Sequence, residues 1–152
     1  MALPPFSAMR NAPDEKKDRT MIKINIASVL VDDQAKAEAF YVDVLGFVKK
    51  HDVPAGGARW LTVANADGSG VELLLEPMGY DFARTYQKAL FDKGIPITSL
   101  GCDDIRAEYE RLKARGVAFR SEPSTPSAGM PSMVLFEDGC GNLLLLVESQ
   151  AD

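Results

Sequence analysis

The chain repeats itself in weakened form, with SVLVDDQAKAEAFYVDVLGF near the front and SLGCDDIRAEYERLKARGVAF further on. Laying Asp33 on Asp104 aligns Ile26 with Ile97, Ser28 with Ser99, Val29 with Leu100, Val31 with Cys102 and Asp32 with Asp103; a one-residue deletion then brings Gly46 onto Gly116. Each copy reads as an apolar strand, an aspartate able to cap a helix, an amphipathic helix stopped by glycine, and then further strands. Two like modules of this kind pack together and create a cleft between them.

From Ile22 to Val31 apolar side chains alternate and then run continuously, the pattern of a strand entering a buried sheet. In QAKAEAFYVDVL, the residues Ala37, Phe40, Tyr41, Val44 and Leu45 share one helical face, and Gly46 supplies the stop. FVKKHDV, ARWLTVA and VELLLEP follow as strands separated by the turn signals PAGG and DGSG. The second copy runs IPITSLGCDD, IRAEYERLKARG, VAFRSE, SMVLFED and NLLLLVES, again strand, helix and three strands. Between the copies, GYDFARTYQKALFDKG carries Phe82, Tyr86, Ala89 and Leu90 on one stripe and predicts a connecting helix. The expected fold is α+β: two βαβββ modules, about 21–79 and 94–150, in one domain over 21–152, with 1–20 as a flexible tail.

Composition narrows the partners. A length of 152 residues suffices for a real core without staples. The 17 basic and 22 acidic residues give a net charge of −5, which disfavours a nucleic-acid partner. No apolar run reaches membrane-spanning length, and the paired prolines of the leader are wrong for a signal peptide. Cys102 and Cys140 form no C-x-x-C pair, which fits a reduced cytoplasmic setting. No phosphate-cradling glycine loop, nucleotide fingerprint or Ser-His-Asp arrangement is visible.

Across Met21 to Glu148 the chain resembles the vicinal oxygen chelate superfamily, which contains glyoxalase I, extradiol dioxygenases, fosfomycin-resistance enzymes and bleomycin-binding resistance proteins. The carriers of the resemblance are VDDQAKAEAFYVDVLGF, VELLLEP, CDDIRAEYERLKARGV and FEDGCGNLLLLVE. It implies paired βαβββ modules curled around a shared cavity, and a homodimer. Metal-dependent members place one ligand on the first and one on the last strand of each module. Those positions correspond here to Ile26, Glu72, Ile97 and Leu145, the last counted from Gly141. Only Glu72 has a donor atom, whereas a divalent transition metal needs three or four, so no metal cofactor is expected.

Glu72 sits between Val71 and Leu73, where an ionised carboxylate needs a partner. It is either a general base or ligand receptor, or one half of an ion pair with Arg59 or Lys23. On the third strand, Trp60 can wall a cavity or fill the core, Thr62 can join that wall, and Arg59 can receive an anion. The sole histidine, His51, lies outside the ligand positions and reads as an exposed strand-end residue. Cys140 sits in a turn with no flanking base to activate it. Tyr80, Phe82 and Tyr86 either close over a ligand or, as aromatic stripes ordinarily do, serve as core or dimer contacts.

The first reading is a metal-free small-molecule binder whose inter-module cavity is lined by Ile26, Ser28, Trp60, Glu72, Ile97, Ser99, Leu135 and Leu145. A second is a glyoxalase-like lyase or isomerase with Glu72 as catalytic base. That reaction also needs an electrophile for the enolate. A third is sequestration of a drug or toxic metabolite, with the acidic surface favouring cations.

Overall fold

The computed structural model describes residues 22–149; the expected tail at 1–20 lies outside the described residues. Two sheets form, one from each copy of the repeat. The first contains β1 (Ile26–Val31), β2 (Val48–Ala55), β3 (Ala58–Ala64) and β4 (Glu72–Pro77), in the order β1-β4-β3-β2. The second contains β5 (Thr98–Cys102), β6 (Met133–Glu137) and β7 (Leu143–Glu148), in the order β5-β7-β6. In both, the first strand runs parallel to the last: β1 along β4 and β5 along β7.

The repeated aspartates do the same work in each copy. Asp33 and Asp104 are extended N-caps whose carboxylates accept from the backbone N–H of Lys36 and Ala107, both at 2.9 Å. The first cap opens helix α1 (Gln34–Glu38), which continues as a π-helix over Ala39–Val44; the second opens α3 (Ile105–Ala114). Gly46 and Gly116 end these helices at φ +89° and +85°, backbone that a side chain with Cβ resists.

Two expectations need correction. The α-helical stripe through Val44 is interrupted, because Leu45 N–H bonds to Phe40 O five residues back. The wider turn rotates Val42 into contact with the core, together with Phe40 and Leu45. In the second copy, VAFRSE does not form a strand. It meets β6 through one isolated bridge, Phe119 to Phe136, and the segment after it meets β6 through another, Ser124 to Met133. Pro123, Pro126 and Pro131 surround these bridges, and proline has no N–H with which to extend a ladder.

The core is common to both modules. Val29, Val31, Leu61, Val63 and Leu75 from one face of the first sheet cluster with Val134, Phe136, Leu144 and Leu146 from one face of the second. Each opposite face therefore points away from this core. Helix α2 (Asp81–Asp92) joins the modules, and it buries Ala83 and Gln87 rather than the aromatic stripe. Phe82 and Tyr86 are 71% and 55% exposed, which corrects their expected role in the core. Among the described residues no helix is long and apolar enough to cross a membrane.

Candidate ligand-binding site

The outward face of the first sheet follows from strand alternation. With Leu61, Val63, Leu73 and Leu75 turned inward, Trp60, Thr62, Glu72, Leu74 and Glu76 turn outward. Helix α2 stands over one end of this face and encloses a pocket of about 470 Å³. Leu30, Leu74 and Pro77 form its apolar floor, and Trp60, Tyr80, Phe82 and Tyr86 form its walls. Tyr80 and Phe82 stack with ring centroids 5.1 Å apart and planes 9° from parallel, yet both are about 70% exposed. Trp60, at 43% exposure, is a pocket wall rather than a core filler.

Arg59 borders the pocket, but its guanidinium is already engaged. It donates to both Asp52 carboxylate oxygens, at 2.8 and 2.7 Å, and to Glu38, while Lys49 donates to the same two acids. Hydrogen bonds from Arg59 and then Lys49 hold the Asp52 carboxyl well below the usual range, and those from Lys49 and then Arg59 lower Glu38. Gln34 fixes the backbone beneath, accepting from Arg59 N–H and donating to Arg59 O and Leu75 O. These contacts use the Nε and Nη2 donors of the guanidinium, and the two carboxylates offset the charges of Arg59 and Lys49. Arg59 is accordingly a closed structural node, and it does not pair with Glu72.

Glu72 meets two other groups. Thr62 Oγ1 donates to its Oε2 at 2.8 Å, and His51 Nε2 lies 3.5 Å from its Oε1. His51 is thus not a bystander: the pairing of β2 with β3 sets it opposite Thr62, and the outward face brings it to the carboxylate. The sequence offered a signal in the alternation of β2, which a bulge between Lys49 and His51 disguises.

The eight residues expected to line one cavity divide into two groups. Ile26, Ser28, Trp60 and Glu72 share the outward face of the first sheet, and of these Trp60 lines the pocket. Ser99, Leu135 and Leu145 share the outward face of the second sheet, and Ile97, just before β5, packs against the core. The pocket under helix α2 is lined by residues of the first module and of α2. Glu76, Leu74, Leu30 and Pro77 are among the lining residues that sequence reasoning missed. The signal for Glu76 was its place two and four residues on from Leu74 and Glu72 in VELLLEP.

The strand registers test the family's metal positions. Ile26 pairs with Glu72, and its counterpart Ile97 donates its N–H to Leu143 O, whereas Leu145 pairs with Ser99. The position equivalent to Glu72 is therefore Leu143, not Leu145. Neither leucine has a donor atom. Among the described residues no three of His, Cys, Asp and Glu are grouped to hold an ion, so the donor set does not fit the family's metal. The two free thiols are also poor nucleophiles: burial pushes Cys140 up to about 12 and Cys102 up to about 11.

Residues 23–146 match the family model of the glyoxalase/bleomycin resistance protein/dioxygenase superfamily. The chain is 45% identical over 128 residues to the uncharacterized protein YurT of Bacillus subtilis, covering 84% of this chain and 99% of that one. Among solved structures, UcmS2 is similar with a TM-score of 0.72 at 34% identity, over 85% of this chain and 99% of that one. TnmS3, described as an antibiotic binding protein from Streptomyces sp. CB03234, is similar with a TM-score of 0.66 at 29% identity, over 87% and 99%. By its paired modules and by these matches, the chain belongs to the glyoxalase/bleomycin resistance protein/dioxygenase superfamily.

Proposed function

We propose that the protein binds a small planar, mostly apolar organic molecule in the first-module pocket, without a catalytic metal, and so sequesters it. The observation that carries this reading is the pocket itself: four large aromatic side chains left exposed around about 470 Å³ of space, on an apolar floor. Exposed aromatic surface gathered in one concavity gains by covering a ligand, and the size suits a drug-like molecule. The antibiotic-binding description of TnmS3 supports the same reading. Two free cysteines fit a cytoplasmic setting.

Trp60 is the chain's single tryptophan and reports on the site. Titration with a planar tricyclic compound such as acridone is expected to quench its fluorescence saturably. The double variant Tyr80→Ala, Phe82→Ala is expected to weaken binding at least about tenfold, the loss of two stacking faces. Undiminished affinity in that variant would show that the pocket is not the site. A second reading, a lyase with Glu72 as base, is favoured by the adjacent His51 and Thr62, which can relay and orient a proton. Glu72→Gln separates the two readings: it leaves acridone affinity unchanged if the protein is a binder and abolishes turnover of α-keto thiol adducts if it is a lyase.

The outward face of the second sheet points to a homodimer. Met133, Leu135, Leu145 and Val147 lie half-buried and cross-paired there, an apolar face over which, among the described residues, no helix packs. A second copy docked on it would bring the two groups of lining residues toward each other. Light scattering is expected to give twice the chain mass of 16.5 kDa, and Leu145→Lys is expected to reduce it to that mass. A wild-type monomer at micromolar concentration would refute the dimer.

A further inference from the structure

The charges around the pocket are not balanced. On one side Arg59 and Lys49 neutralise Glu38 and Asp52, two basic groups against two acidic ones, in a closed network. On the other side Glu76 lines the pocket half-buried, and among the described residues its carboxylate joins no ion pair or side-chain hydrogen bond. Trp60, Tyr80, Phe82 and Tyr86 line the same pocket, and aromatic rings carry negative π-faces, which attract cations and repel anions. A carboxylate against an apolar floor loses part of its hydration and gains most from a positive charge brought in with the ligand.

We propose that this pocket selects planar organic cations, molecules with an aromatic body and a protonated or quaternary nitrogen that sits between Glu76 and the aromatic rings. The inference rests on the pocket reading above and adds a charge rule to it. The aromatic walls supply affinity for any flat apolar body. Glu76 supplies discrimination, because a neutral ligand leaves the carboxylate unpaired and an anion is repelled by it. Arg59 also borders the pocket, but its positive charge is already offset by Asp52 and Glu38, whereas the negative charge of Glu76 is not offset.

The test compares three tricyclic probes of like shape at neutral pH: cationic proflavine, neutral acridone and an anionic acridine carboxylate. Calorimetric titration of wild-type protein is expected to give proflavine an affinity about tenfold above acridone, the scale of a partly desolvated cation–π and ion-pair contact, with the carboxylate weakest. Raising the salt concentration is expected to narrow the proflavine advantage and leave acridone unchanged. Glu76→Gln is expected to bring the ratio of proflavine to acridone affinity down to about one, and a ratio still near ten in that variant would overturn the role of Glu76. Equal wild-type affinities for proflavine and acridone would overturn the charge rule and leave the pocket reading standing. Failure of all three to bind would overturn both. The wild-type comparison stands alone if Glu76→Gln does not fold.

Discussion

Asp138→Ala is expected to lower the free energy of unfolding by about 4 kcal/mol, a large share of the 5–15 kcal/mol that holds an ordinary domain together. Asp138 is 1% exposed, and every lone pair it offers is in use. Oδ1 accepts from the backbone N–H of Cys140 at 2.7 Å and of Asn142 at 3.0 Å; Oδ2 accepts from Tyr41 OH at 2.8 Å and from Asn142 Nδ2 at 2.7 Å. Alanine would leave these donors buried and unpaired, at roughly 1–3 kcal/mol each before any water enters the space. The bond to Tyr41 also ties the π-helix of the first module to the β6–β7 turn of the second, so the loss falls on the joint between modules. Burial, and then the Asp138 charge, hold the Tyr41 phenol well above its ordinary pKa. A raised phenol pKa contributes stability in full below the unfolded value, and that contribution disappears as pH climbs through the folded one. Asp138→Asn keeps one oxygen for the two backbone donors and is expected to cost about half as much. Urea denaturation decides: a loss under about 1 kcal/mol for Asp138→Ala would mean that the network is not what joins the modules.

Why some of this was legible in the sequence and some was not comes down to which forces are local. Asp33 and Asp104 cap helices through bonds to residues three positions on, and Gly46 and Gly116 relieve a strain inside their own backbone, so their roles can be read from the string. The strand order follows because each module must bury the same apolar stripes. Val42 is different. Its inward turn depends on a five-residue hydrogen bond whose advantage lies in fitting the finished core, and no period of 3.6 announces it. Phe82 and Tyr86 show the same limit from the opposite side. Periodicity establishes that they share a face, but whether that face meets core or ligand is decided by Gln87, a polar residue that the stripe rule ignores. At the site, alternation already puts Glu72, Leu74 and Glu76 on one face, but which of the two carboxylates lines the pocket depends on where helix α2 stands over the sheet. The pairing of His51 with Glu72 crosses two strands and a bulge, which lies beyond any local pattern.

Gln87 also sets up the other large effect, that of a single methyl group at Gly141. The glycine adopts φ +97°, and a Cβ there would lie 2.5 Å from Gln87 Oε1 and 2.8 Å from its Cδ. Gln87 cannot swing aside freely, because its Nε2 is shared among Leu30 O, Cys140 O and Asn142 Oδ1 at 3.0, 3.1 and 3.0 Å, acceptors drawn from both modules. Gly141→Ala therefore combines left-handed backbone strain of roughly 1–2 kcal/mol with the loss of buried hydrogen bonds, for an expected cost of about 3 kcal/mol. Gln87→Ala alone is expected to cost about 2 kcal/mol through the acceptors it abandons. In the double variant the clash is gone and only the backbone strain is added, so the two costs should fall short of additivity by at least about 1 kcal/mol. Additivity within about 0.5 kcal/mol would show that the methyl and the amide do not meet. The consequence reaches the pocket, since Gln87 sits on the helix that carries Phe82 and Tyr86 and is the residue that anchors it to Leu30. Freed from that anchor, the aromatic wall loses its fixed distance from Trp60, and acridone affinity should fall in Gln87→Ala although Gln87 is not among the pocket-lining residues.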